Sequence, residues 1–189
     1  MRLTPNQFAK QLPKWYHIWK EANPNYFPLE KQLTQKAHAM GYLEMHDLVA
    51  IAKWGGNQYN IGGKIQRENT NDEVKEKTKE AIQQLNNPAS ALLSMMSIKR
   101  WGRTYASKTL RCVCPSKYAA LDSKVIRGIN QSYLPSTNNE VKRYVEFLNF
   151  CQQLRQEVSE PGPRKGEWFL ADIEIALFQF VWDKNNKIV

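Results

Sequence analysis

The chain has 189 residues, room for one compact domain or two small subdomains sharing a core, and its 42% hydrophobic content with six Trp, eight Tyr and seven Phe excludes a disordered chain. A formal charge of +9 favours a polyanionic partner, nucleic acid ahead of an anionic membrane surface. No apolar stretch approaches the ~20 residues that span a bilayer, and residues 1–13 are polar and interrupted by Pro5 and Pro13, unlike a signal peptide, so a cytoplasmic protein is expected.

Taken in chain order, the periodicity reads helical almost throughout. Thr4-Pro5 has the form of an N-cap followed by proline at the first helical position, and Phe8, Leu12, Trp15 and Trp19 then recur at helical spacing, with Pro13 dividing or kinking the segment. A helix over 28–40 ends at Gly41, and a short apolar one over 47–54 ends at Gly55-Gly56. A charged, largely exposed helix is predicted over 71–85, and Asn87-Pro88 starts another that runs to about Met96. Helices over 103–113, 122–129, 138–158 and 167–183 complete the chain, with loops at 131–139 and 159–166. Valine and isoleucine occur singly, without alternating runs. The expected fold is all-α, with eight to ten helices.

Metal chemistry finds little support. Cys112, Cys114 and Cys151 read as free thiols of a reducing compartment, and the two-residue step from Cys112 to Cys114 is not a zinc or iron–sulfur spacing. His17, His38 and His46 are scattered, and none is paired with a neighbouring ligand by spacing. Asp172 and Glu174, two apart in the last helix, point to different faces and do not form a catalytic pair.

One stretch concentrates the chemistry. No acidic residue lies between Glu80 and Asp122, whereas Lys99, Arg100, Arg103, Lys108, Arg111 and Lys117 do, with Lys124 and Arg127 just beyond. Charge segregated in this way suits displacement of counterions from a DNA backbone. Within it, residues 98–110 read as the end of an apolar helix, a tight turn at Trp101-Gly102, and a second helix beginning with small residues. Gly102 is expected to supply the turn's positive φ, and the helix start to point backbone N–H groups at a phosphate.

This arrangement resembles the helix-hairpin-helix DNA glycosylase superfamily, the group containing endonuclease III and the adenine glycosylases. Their hairpin reads roughly Leu-Pro-Gly-Val-Gly-Arg-x-Thr-Ala and is followed by a proline-containing loop and an apolar-Asp-x-x-Val segment. Gly102, Arg103 and Ala106 match the second glycine, the arginine and the small helix residue; Pro115 lies in the following loop, and Leu121-Asp122-Ser-Lys-Val125 matches the aspartate segment. Asp122 stands eighteen residues after Thr104, the family's spacing between its variable hairpin position and its aspartate. Residues 48–56 resemble the apolar helix that leads into the family's DNA-inserted loop. The chain departs from the pattern in carrying Lys99 and Arg100 where the family has proline and its first glycine, and Thr104 where bifunctional members carry a Schiff-base lysine. With three cysteines in all, the iron–sulfur subfamilies are excluded.

The resemblance implies a barrel subdomain over 28–118 ending in the hairpin, and a second helical subdomain made of 1–27 and 119–189. It implies a monomer that acts on double-stranded DNA as a monofunctional glycosylase, cutting the N-glycosidic bond of a flipped, damaged or modified base without a lyase step, for which Lys108, one turn along from Thr104, is the reserve amine. A non-catalytic hairpin module that only binds DNA is the alternative. Asp122 is the expected catalytic carboxylate, with an N-cap as its competing role. Lys99, Arg100, Trp101, Gly102, Arg103, Thr104, Lys108 and Lys124 are the expected DNA contacts. Trp54, Tyr59 and Tyr105 would line a base pocket, Asn57 and Gln58 would fill the gap left by the extruded nucleotide, and Trp15, Trp19 and Trp182 would be core. No cofactor is expected, with an alkali cation at the hairpin carbonyls left open.

Overall fold

Local signals start the helices where the sequence places them. In the computed structural model, which describes residues 1–183 and 186–189, Thr4 Oγ1 accepts from the Gln7 amide and Gln7 Oε1 from the Thr4 amide, a reciprocal cap that opens α1, Pro5–Ala9. Pro13 divides rather than kinks the segment, because it sits in the first turn of α2, Leu12–Ala22. Then come α3, Tyr26–Met40, α4, Met45–Trp54, and a single 3-10 turn at Gln58–Asn60. Gly41 closes α3 at φ 72°, a left-handed stop that suits glycine. Next are α5, Ile61–Glu68, α6, Asn71–Gln83, α7, Pro88–Met96, and α8, Arg103–Val113. The chain finishes with α9, Ser123–Gly128, α10, Glu140–Glu157, and α11, Leu170–Trp182.

The fold is all-α, with eleven α-helices among the described residues. The one the sequence did not announce is α5. Gly62-Gly63 lowers its intrinsic propensity, and burial of Gly62 and Ile65 holds it instead. A second addition is a parallel pair of two-residue strands, β1, Arg2–Leu3, and β2, Lys187–Ile188, with Arg2 opposite Lys187 and Leu3 opposite Ile188.

The chain divides into two compact units, Met1–Pro24 with Pro115–Val189, and Asn25–Cys114. In the first, α11 is the central helix and packs on α2. Phe180 meets Phe8 at 5.2 Å and Trp15 at 5.4 Å between ring centroids, and Tyr144 donates to the Ala119 carbonyl at 3.0 Å. Within the same unit the fully buried carboxylate of Asp172 accepts from Arg164 Nε and Nη2 at 2.8 Å each and from the Phe169 amide at 3.1 Å. One group thus starts α11 and pins the turn around Gly162. In the second unit, α3, α4, α6, α7 and α8 bury Leu33, Leu48, Ile51, Ala81, Leu92 and Leu110. Thr78 Oγ1 donates to the Leu43 carbonyl at 2.8 Å and accepts from the Leu43 amide at 2.9 Å, and so ties α6 to the approach of α4.

Candidate nucleic-acid interface and the carboxylate of Asp122

The α7–turn–α8 hairpin forms where the sequence predicts it, but its turn is built differently. Gly102 has φ −68° and ψ 173°, ordinary extended backbone, and acts as N-cap of α8. The positive φ falls instead on Arg100, at 68°. Arg100 occupies the position of the first hairpin glycine in the pattern the sequence resembles, and there a non-glycine residue carries a cost of about 1–2 kcal/mol. Asn69 offsets it: its Nδ2 donates to the Lys99 carbonyl at 3.1 Å and its Oδ1 accepts from the Lys99 amide at 3.0 Å. The N-terminus of α8 has neither a side-chain cap nor an acidic residue in its first turn. Its leading N–H groups and positive dipole end are therefore suited to an anion.

The charge around this hairpin is less segregated than the sequence suggests. Arg100 Nε donates to both oxygens of Glu68, at 2.8 and 2.9 Å, and Lys99 Nζ lies 3.8 Å from Glu73. Both acids arrive from α5 and α6. Arg111 leaves the basic surface altogether: it is buried, its guanidinium 4.3 Å from the Tyr26 ring and 5.3 Å from that of Trp54. Burial drives the neighbouring Tyr26 hydroxyl well above its ordinary pKa against the opposing pull of Arg111, and that hydroxyl donates to buried Glu30 at 2.5 Å.

Two expected DNA contacts are corrected. Trp101 is fully buried, with its indole N–H donating to Thr109 Oγ1 at 3.1 Å and its ring 5.0 Å from Tyr105, so it anchors the hairpin from inside. The Lys108 ammonium turns back toward α4, 5.5 Å from the Trp54 ring, 5.3 Å from the Tyr105 ring and 3.5 Å from the Gly55 carbonyl. A Cβ on Gly55 would stand 3.0 Å from that ammonium and 3.1 Å from Tyr105 Cε1, so glycine permits this approach. Trp54 and Tyr105, expected to line a base pocket, are the walls around Lys108. Lys99, Arg100 and Gly102 are exposed, and Arg103 and Thr104 half-buried.

The loop after α4 carries backbone strain. Asn57, Tyr59 and Asn60 all adopt positive φ, at 41°, 54° and 54°. Asn57 is drawn inward: its Oδ1 accepts from the Gly62 amide at 2.9 Å, so it closes the loop rather than reaching outward. Gln58 is exposed, and Tyr59 is 86% exposed on the same strained turn.

Asp122 is the N-cap of α9, its Oδ1 accepting from the Lys124 amide at 2.8 Å. The capping role is therefore real, and it engages Oδ1. Lys124 is half-buried with its ammonium over the indole of Trp182. Trp15 and Trp19 are core, but Trp182, expected there too, is 53% exposed.

His46, which spacing alone left unpaired, has neighbours: its Nε2 lies 3.3 Å from Asp47 Oδ1, and Glu44, His46 and Asp47 come together at the start of α4. Lys36 sits among them, its ammonium 2.7 Å from Glu44 and 2.6 Å from Asp47, and already supplies the positive charge. Lys36 and Lys75 hold the Glu44 carboxyl down to about 2. The signal was tertiary, because the lysines come from α3 and α6. No described helix is long and apolar enough to cross a membrane. The chain matches no protein-family model, no curated protein and no solved structure.

Proposed function

We propose that this chain is a monofunctional DNA glycosylase that binds double-stranded DNA through the α7–α8 hairpin. The observation that carries the reading is the hairpin turn itself: a left-handed residue at the family's glycine position, leading into an acid-free, uncapped helix start. The amides of Gly102 and Thr104, with Arg103, hold a phosphate there, and Lys99 and Arg100 add charge that Glu68 and Glu73 partly offset. Tyr59 is the wedge that enters the stack where a base has left it, since its ring is exposed and its backbone strained.

In the cleavage step the C1′–N bond breaks, the electron pair leaves with the base, and water adds to C1′. Asp122 stabilises the positive sugar and takes the proton of that water through Oδ2, while Oδ1 keeps the cap. Thr104 offers no amine for a Schiff base, and the Lys108 amine is held toward Trp54 and Tyr105. Strand cleavage is therefore not part of the reaction.

The second reading, a hairpin module that binds DNA without cutting it, is favoured by the cap bond of Asp122. One experiment separates the two. Duplex oligonucleotides bearing damaged or modified bases are assayed for base release with the wild-type chain and with Asp122→Asn. Release abolished with DNA binding retained upholds the glycosylase; binding without release by the wild-type chain on every substrate leaves the module. Borohydride trapping on the cleaved substrate checks the absence of a covalent intermediate, and a trapped adduct overturns the monofunctional assignment.

A further inference from the structure

A second basic feature lies within the unit formed by both ends of the chain. Lys124, Arg127 and Gly128 of α9, Val181 and Trp182 at the end of α11, and Asn186 and Lys187 beside and in β2 surround a cavity of about 230 Å³. Three of these side chains are cations, and among the described residues no carboxylate lines the cavity. Lys124 and Arg127 are one helical turn apart and share a face of α9. Lys187 joins them because its ammonium donates to the Arg127 carbonyl at 3.3 Å and because β1 holds β2 in register. Asn186 is fixed by the terminal ammonium of Met1, which donates to its Oδ1 at 2.7 Å. Gly128 lets α9 lie flush on α11, since a Cβ there would fall 2.3 Å from Val181 Cγ1.

Three like charges around one concavity repel one another, and the ligand that removes the repulsion is an anion. The cavity also has an aromatic wall. Trp182 is 53% exposed, stacks on Phe178 at 5.4 Å, and has the Lys124 ammonium 2.8 Å from its ring centroid. An oxyanion that draws the Lys124 ammonium off the indole carries whatever it is esterified to against the face so uncovered, a surface that suits a planar ring.

We propose that this cavity binds a nucleoside monophosphate, its phosphate on Lys124, Arg127 and Lys187 and its base against Trp182. The ligand is either a free mononucleotide or the 5′-phosphorylated terminal nucleotide of a DNA strand. Binding is read without duplex DNA, so its outcome is independent of the hairpin and of base release.

Calorimetric titration of the full chain with deoxyadenosine monophosphate, deoxyadenosine and inorganic phosphate tests it. The monophosphate is expected to bind at least about tenfold more tightly than either fragment. The double variant Arg127→Ala with Lys187→Ala, both exposed side chains, is expected to weaken it by about tenfold or more, and Trp182→Ala to bring the monophosphate close to the affinity of inorganic phosphate. A parallel titration with a dinucleotide, with and without its 5′-phosphate, separates the sources. Preference for the phosphorylated dinucleotide over the monophosphate identifies a strand end, and the reverse order identifies a free nucleotide. A monophosphate that binds no better than inorganic phosphate, or binding unmoved in the folded double variant, overturns the proposal.

Discussion

Arg100 holds a left-handed backbone while its Nε donates to both carboxylate oxygens of Glu68. The pair sets the hairpin's own acid against its proposed phosphate contact. Glu68→Gln is expected to tighten duplex DNA binding about threefold and to make it more salt-sensitive, since one more cation becomes available to phosphate. Fluorescence anisotropy across a salt series measures both, and an unchanged affinity removes Arg100 from the interface.

The strain at Arg100 can be read separately. Arg100→Gly and Arg100→Ala lose the Glu68 pair equally, yet only glycine accepts φ 68° freely. The glycine variant is expected to be more stable than the alanine variant by about 1 kcal/mol in urea unfolding. Equal stabilities would show that the turn relaxes to another conformation.

Tyr59 is exposed and borders no core, so Tyr59→Ala should leave the unfolding midpoint unchanged. Base release is expected to fall by about tenfold or more under single-turnover conditions, because unstacking costs a few kcal/mol that the wedge offsets. Stability and activity falling together would mark Tyr59 as a structural residue.

Asp122 separates cap from catalyst by residue type. Asparagine caps as well as aspartate, so Asp122→Asn should stay within about 0.5 kcal/mol of wild type, while Asp122→Ala loses about 1 kcal/mol. Chemical denaturation gives both values. A large loss in the Asn variant would mean that the carboxylate charge supports the fold.

Glu44 gives a signed pH dependence. Its folded carboxyl is held down to about 2 by Lys36 and Lys75, below its ordinary value of 4.5. Its contribution to stability is therefore complete above about 4.5 and disappears as pH falls through about 2. Glu44→Gln should flatten that acid limb, and a carboxyl chemical-shift titration should place the folded midpoint near 2.

Much of the helical layout was legible because its signals are local. Thr4-Pro5, Asn87-Pro88 and Gly41 act within a turn of the boundaries they set, and the expected helix over 103–113 has the bounds of α8. What failed depends on distant partners. Charge segregation over 80–122 did not survive folding, because Glu68 and Glu73 come from other helices. Trp101, expected at the DNA, is buried and Trp182, expected in the core, is exposed, because an indole's exposure depends on which helices cover it, which periodicity does not report. The cavity beside α9 needs Lys187, sixty residues beyond the Arg127 carbonyl it meets.

The register of β1 with β2 bears on the order in which the molecule assembles. Asn25–Cys114, with its hairpin, is one uninterrupted stretch and closes by short loops as it leaves the ribosome. The other unit requires Leu3 to find Ile188, a closure across nearly the whole sequence. Such a contact carries a high entropic cost and forms late. Lys187 reaches the cavity beside α9 through that closure, so the three-cation site should be the last part of the molecule to mature.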